Sequence, residues 1–72
     1  MSAIPITSFP ASTGTVEKID LPTSVAARLK SLGVFEGQEF ELARRGHPLI
    51  LKIAGSRIAI ADDIAGQIFV RT

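Results

Sequence analysis

The chain contains no cysteine, no tryptophan and no tyrosine, and it has a single histidine among its 72 residues. The lack of cysteine excludes disulfides and thiolate zinc sites, and one histidine is too few for a histidine-rich metal centre. No apolar run approaches the roughly 18 residues that a membrane-spanning helix needs. Because the first residues also lack the basic and apolar regions of a secretory signal, we expect a cytoplasmic protein without direct membrane insertion.

The chain also lacks a strong charge, since its formal net charge is +1 at pH 7. So small a positive charge does not favour general nucleic-acid binding. The composition is instead apolar, with 46% hydrophobic residues, and the length predicts one domain over residues 1–72. A domain of this size buries only about 60% of the surface of its unfolded chain. We therefore expect exposed apolar surface, which favours a protein partner and leaves weak self-association open.

The first part of the chain predicts a lead-in followed by a strand. Residues 1–12 are expected to be irregular because Pro5 and Pro10 lack backbone donors, with their apolar neighbours lying against the core. Residues 15–19, which follow Gly14, predict a first strand. The apolar positions of this strand break strict alternation, so we expect a β-bulge.

One amphipathic helix is predicted next. Apolar residues recur at i, i+4 and i+7 in Val25, Leu29 and Leu32, which is the spacing of one helix face. A threonine or serine at 23–24 offers the N-cap. Gly33 stands where a helix of about nine residues takes a left-handed C-terminal residue.

The remainder of the chain alternates at period two, which is typical of strands. These runs cover residues 39–43, 49–53, 58–60 and 68–70. Residues 54–56 predict a hairpin turn, and residues 62–65 predict one helical turn capped by Asp62 or Asp63. The sequence therefore predicts a mostly β fold, a small five-stranded barrel with one α-helix inserted after the first strand.

Few residues of the sequence are candidates for catalysis or metal binding. The chain has no phosphate-binding glycine motif and no nucleophile arrangement, so we assign no catalytic residue and expect no enzyme. His47, between Gly46 and Pro48, has the chemistry of a metal ligand or pH sensor, but a solvent-facing loop residue is the simpler interpretation. Asp62 and Asp63 suit a divalent cation poorly because adjacent carboxylates point in different directions. We expect no metal site and no cofactor.

Two features suggest contact with a partner. Arg44 and Arg45 form the most basic local spot, which fits an acidic partner or a phosphate. The simpler interpretation is a charged strand end that faces Glu39 and Glu41. The apolar helix stripe is most simply core, although a helix packed outside a small barrel can leave one apolar edge open for docking.

Four segments carry a family resemblance when they are taken together. They are residues 14–19 (GTVEKI), 28–37 (RLKSLGVFEG), 53–55 (IAG) and 58–60 (IAI). Their order resembles the ferrous iron transport protein A (FeoA) family, whose pattern runs G-x-V-x-x-I, then R-L-x-x-L-G-x-x-x-G, then a glycine hairpin and a further strand. The resemblance extends over residues 6–70, and the second segment is its most specific part.

The resemblance implies an SH3-like β-barrel in the cytoplasm, without enzymatic activity or a cofactor of its own. It also implies a partner, the large membrane ferrous iron transporter (FeoB), which carries a cytoplasmic GTP-binding domain. Such a partner would hold the protein at the inner face of the membrane. From the family motif, the helix stripe and the basic spot together, the residues expected to bind the partner are Arg28, Leu29, Leu32, Val34, Arg44 and Arg45.

Two alternatives stay open at this point. Similar SH3-like domains end some iron-dependent repressors, which suggests a regulatory module, although this chain predicts no DNA-binding helix pair. The segment 14–19 also resembles the opening of ribosomal SH3-like domains, which suggests an RNA-binding barrel. Such RNA-binding domains usually carry a basic excess and stacking aromatic residues, and this chain has no Tyr or Trp.

Overall fold

The computed structural model describes residues 3–71, which fold into six strands and two α-helices. The strands are β1 (Ala3–Pro5), β2 (Thr13–Ile19), β3 (Glu39–Arg44), β4 (Leu49–Ile53), β5 (Ser56–Ile60) and β6 (Ile68–Arg71). The helices are α1 (Thr23–Ser31) and α2 (Asp62–Ala65), and a 3₁₀ turn covers Ile6–Ser8. The predicted mostly β fold is confirmed, with one strand more than the five expected.

The strands form one antiparallel sheet in the order β1-β6-β2-β3-β4-β5. Residues 13–15 of β2 pair with β3, and residues 16–19 of β2 pair with β6. The register shifts between Val16 and Lys18, which confirms the bulge expected in this strand. Over residues 3–71 the strand order has two ends, β1 and β5, so closure into a barrel stays a prediction.

The lead-in is more regular than the sequence predicted. β1 pairs antiparallel with β6, so the expectation of an irregular backbone over residues 1–12 is wrong for residues 3–8. Pro5 is tolerated in a strand because β1 lies at the edge of the sheet. Ile6 and Phe9 are buried, which confirms that the lead-in lies against the core.

α1 begins without the side-chain cap that the sequence predicted. Pro22 occupies the N-cap position, and Thr23 and Ser24 lie inside the first turn of the helix. The carbonyl of Pro22 accepts a hydrogen bond from the N–H of Ala26 at 2.9 Å. Proline fits here because its fixed φ suits a helix entry, and the missing N–H would have no helical partner. Within residues 3–71, neither helix is long and apolar enough to cross a bilayer.

The C-terminus of α1 is closed by a Schellman motif. Gly33 has a φ of +100°, and its N–H donates to the carbonyl of Lys30 at 3.0 Å. The N–H of Val34 donates to the carbonyl of Leu29 at 2.9 Å. These two bonds satisfy carbonyls that the helix end would otherwise leave open, and the buried side chains of Leu29 and Val34 supply the apolar contact typical of the motif. The predicted left-handed glycine is confirmed.

Gly33→Ala is expected to destabilise the domain by about 1–2 kcal/mol, because an L-residue is strained at this positive φ. Gly66→Ala is the matched control, since Gly66 has a φ of −63° and a Cβ there would lie 3.5 Å from its nearest neighbour, the carbonyl oxygen of Asp62. We expect the control to change stability by less than about 0.5 kcal/mol. Urea denaturation measures both variants, and equal losses would contradict the conformational argument.

β4 and β5 form a tight hairpin whose turn consists of Ala54 and Gly55. Both residues have positive φ, 51° and 84°, which is the conformation of a type I′ turn. The pair Ile53 and Ser56 closes the turn, so the predicted hairpin is confirmed and Ser56 belongs to the strand. α2 starts after Ala61 without a side-chain cap, so the cap expected from the aspartates is wrong.

The core is apolar throughout the part of the chain that the structure describes, with no buried polar or charged side chain. Its members come from every strand except β1, together with the lead-in, both helices and the segment after α1. Six large side chains are fully enclosed: Ile6, Val16, Val34, Leu51, Ile68 and Val70. Two large apolar residues within residues 3–71 are exposed instead, Leu32 at 52% and Phe35 at 37%.

Candidate functional site

An apolar groove of about 510 Å³ lies between α1 and β5. Its walls are formed by Val25, Arg28, Leu29 and Leu32 on the helix side and by Ile58 and Ile60 on the strand side. Ala61 and Ile64, which follow β5, also contribute to its lining. We call this surface the α1–β5 groove.

The groove has a buried floor and an open rim. Leu29, Ile58 and Ile60 are at most 8% exposed and belong to the core. Leu32 is 52% exposed, because it follows the last residue of α1 and lies one turn beyond the buried Leu29. Val25 is only partly buried. Covering such an apolar rim removes apolar surface from water, which is favourable and is typical of a docking surface for another protein.

The two segments on either side of the groove are basic, whereas Asp62 and Asp63 lie between the lining residues Ala61 and Ile64. The segments 23–31 and 49–60, which hold α1 and the β4–β5 hairpin, contain four lysines and arginines and no carboxylate. The rest of the chain has four basic and seven acidic residues, so the charges are segregated even though the total is only +1. Arg28 lies in the groove wall itself. Within residues 3–71, the side-chain ion pairs are His47 with Asp62 and Arg71 with Glu17, so Arg28 makes none.

Three of the residues predicted to bind a partner line the groove together, namely Arg28, Leu29 and Leu32. Leu29 contributes mainly to the floor, because its side chain is 6% exposed. Val34 has no exposed surface and lies in the core next to the end of α1, so its place among the contact residues is corrected. Its burial follows from the Schellman motif, which turns the chain back towards the sheet directly after Gly33.

Arg44 and Arg45 lie away from the groove, at the end of β3 and in the following loop. Arg45 is engaged within the protein, because its guanidinium donates to the carbonyls of Phe9 and Ala11, the latter at 2.9 Å. This fork of donors holds the lead-in against the β3–β4 loop, which explains an arginine here without any partner. Arg44 is exposed, and a partner contact through it stays a prediction.

His47 is exposed, as the simpler interpretation of the sequence expected, and its Nδ1 contacts a carboxylate oxygen of Asp62. Asp63 accepts the N–H of Ile64 at 3.0 Å. The two adjacent aspartates therefore have different partners, which agrees with the expectation that their carboxylates point in different directions. Across residues 3–71, no three histidine or carboxylate side chains gather as metal ligands.

The strand wall of the groove was not predicted as a site. Ile58 and Ile60 alternate with exposed residues, so the pattern indicates only an inward strand face. Neither the pattern nor the spacing says that this strand lies at the sheet edge beside α1. The one signal present in the sequence is the absence of carboxylates from both segments, which sets them apart from the rest of the chain.

The chain matches a known protein family. The FeoA domain family model matches residues 10–72. No curated protein sequence matches the chain.

Comparison with solved structures gives the same family. An iron uptake regulatory protein (FeoA) is 26% identical with a TM-score of 0.83, and the match covers 99% of this chain and 97% of that one. An FeoA-like protein from Clostridium acetobutylicum is 21% identical, with a TM-score of 0.78 and coverage of 100% and 88%, and shows the fold alone.

A third structure is larger than this chain. IdeR from T. acidophilum is 26% identical with a TM-score of 0.87, and the match covers 100% of this chain but 35% of IdeR. The family match, together with the two structures that are 26% identical, supports a role in iron transport or its regulation. Because the family model matches most of its length, this chain belongs to the FeoA domain family.

Proposed function

We propose that this protein is a small cytoplasmic accessory of ferrous iron uptake that binds the membrane ferrous iron transporter (FeoB-like) through the α1–β5 groove. The observation that carries the proposal is the half-exposed Leu32 at the rim of an apolar groove, one of two large apolar residues that are exposed within residues 3–71. Membership of the FeoA family supports the transporter as the partner. The protein would act by contact and not as an enzyme.

The residues of the groove have different roles in the proposed contact. Leu32 and Val25 offer apolar surface that a partner side chain covers, while Leu29 and the two isoleucines keep the groove rigid from below. Arg28 supplies a cation at the wall that favours a carboxylate on the partner. Apolar contact then gives most of the affinity, and the charge orients the partner.

Leu32→Asp is expected to remove the transporter from material that co-purifies with the tagged protein from a detergent extract of its own cells. The substitution puts a charge at the centre of the apolar rim, where the partner would have to desolvate it. Because Leu32 is half-exposed, the fold tolerates the change and the melting temperature stays within a few degrees. Mass spectrometry identifies and quantifies the transporter. Equal recovery with wild-type protein and the folded variant would contradict the proposed site.

A second candidate function is favoured by the structural match to about a third of IdeR. In this alternative the domain is a regulatory module like those that end iron-dependent repressors. Contact with DNA would then come from outside this domain, because α1 and the one-turn α2 are the only α-helices within residues 3–71 and they do not form a DNA-reading helix pair. Recovery of a DNA-binding regulator in place of the transporter would favour this alternative.

A further inference from the structure

β5 is a free edge of the sheet. The strand order ends at β5, which pairs with β4 on one side only within residues 3–71. An edge strand presents backbone donors and acceptors in a row, which another extended segment can pair with.

The register of the hairpin shows which groups point outwards. Ile53 and Ser56 close a two-residue turn, so they form a hydrogen-bonded pair, and such pairs recur at every second position. Ile58 and Ile60 therefore bond to β4. Arg57 and Ala59 occupy the alternate positions and direct their N–H and C=O groups away from β4, towards the free edge.

The α1–β5 groove lies directly beside this edge. Ala59 and Ala61 line it together with Ile58 and Ile60, so both faces of β5 and its continuation border the opening. A strand added to β5 would place every second side chain on the same face as the two isoleucines, where the groove receives it next to Leu32. The added strand would then form main-chain hydrogen bonds with β5 and bury its apolar side chains in the adjacent groove.

The basic residues near β5 indicate which charge the side chains of an added strand should have. Arg57 on β5 lies opposite Lys52 on β4, and Arg28 lies in the groove wall. None of these three makes a side-chain ion pair within residues 3–71. A second copy of β5 carries a cation and no carboxylate, so it offers no opposite charge to Arg57. Acidic side chains on the added strand would instead lie beside Arg57, whereas Lys52 already lies opposite Glu41 on β3.

We propose that β5 binds an extended segment of a partner protein by strand addition, and that this segment alternates apolar residues, which enter the groove, with acidic residues, which lie on the opposite face beside Arg57. This inference rests on the proposed function, because it specifies how the transporter or another partner occupies the α1–β5 groove. It adds a requirement that docking alone does not have, namely pairing with the backbone of Arg57 and Ala59.

The first experiment uses a synthetic probe and wild-type protein. The probe is a capped heptapeptide that alternates glutamate and valine, and its matched control carries lysine in place of every glutamate. We expect the acidic peptide to slow hydrogen exchange of the Arg57 and Ala59 amides, measured by nitrogen-15 NMR, and to bind at least about ten-fold more tightly than the lysine peptide. Absence of binding, self-association in place of binding, or shifts confined to α1 with both amides unprotected would overturn the proposal.

The second experiment uses the transporter and two variants at one position. Ala59→Pro removes the outward N–H donor without removing a bond to β4, and Ala59→Thr changes the side chain but keeps the donor. With both variants folded by their NMR spectra, we expect proline to weaken binding about ten-fold more than threonine. If the transporter binds wild-type protein and both variants equally, docking stands and strand addition is overturned. If the transporter does not bind wild-type protein, the proposed function fails and the peptide experiment alone decides strand addition.

Discussion

Leu29→Asp is expected to abolish cooperative folding, whereas the same substitution three residues later at Leu32 leaves the fold intact. Leu29 is 6% exposed and lies in the core at the floor of the groove. Truncating a buried leucine costs about 2–5 kcal/mol, and an unpaired buried carboxylate costs more. A domain below about 80 residues without staples is rarely more stable than about 3–5 kcal/mol, so the loss exceeds what the fold can absorb.

Leu29→Met is the matched control, because it conserves volume and is expected to cost less than about 1.5 kcal/mol. Circular dichroism and thermal melting distinguish the outcomes. A folded Leu29→Asp protein with a cooperative transition would contradict the assignment of Leu29 to the core, and it would return this residue to the exposed contact surface.

The second large effect is expected at Gly14, which lies inside β2 between two aromatic rings. A Cβ at this position would lie 2.8 Å from Cε2 of Phe9 and 3.0 Å from Cζ of Phe40. The two rings pack edge to face with centroids 6.1 Å apart, so neither can move without disturbing the other. Gly14→Val is therefore expected to destabilise the domain by about 3 kcal/mol through overpacking, measured by urea denaturation.

A double-mutant cycle separates this steric cause from a general strand effect. Phe9→Leu removes ring atoms from the space that the new Cβ would occupy. If the clash with Phe9 causes the loss, Gly14→Val should cost at least about 1 kcal/mol less in the Phe9→Leu background than in the wild-type background. Additive losses would show that the ring contact does not explain why glycine stands in this strand.

Local signals in the sequence predict much of this fold. The three-four spacing of Val25, Leu29 and Leu32 identifies α1, and Gly33 identifies its end, because both depend on neighbours within one or two turns. The strand periodicity and the hairpin around Gly55 depend equally on short-range geometry. These elements were predictable because the chain nearby contains all the information that specifies them.

The features that were wrong or missed depend on distant partners. β1 is a strand because β6, more than sixty residues later, pairs with it. Gly14 has the sequence signature of a strand opener, and only the approach of the rings of Phe9 and Phe40 gives its real role. The N-cap of α1 is a proline because the helix entry is set by backbone geometry and not by a hydroxyl group.

The candidate site also combines features that local sequence predicts with features that depend on distant parts of the chain. The helix side of the groove was predicted from its own periodicity, whereas the strand side required knowing that β5 is an edge and lies beside α1. The family segment 28–37 predicts Val34 among the contact residues, because it directly follows Gly33. The motif positions specify the turn, and the turn buries the valine.

The most direct test of the central claim is the affinity of the purified protein for the detergent-solubilised ferrous iron transporter, compared between Leu32→Asp and Phe35→Asp. Both substitutions charge an exposed apolar side chain, but Phe35 lines a different depression, together with Ile19 and Ala26. The groove account predicts that Leu32→Asp weakens binding at least about ten-fold and that Phe35→Asp leaves it unchanged. Equal affinity for Leu32→Asp and wild-type protein would contradict it.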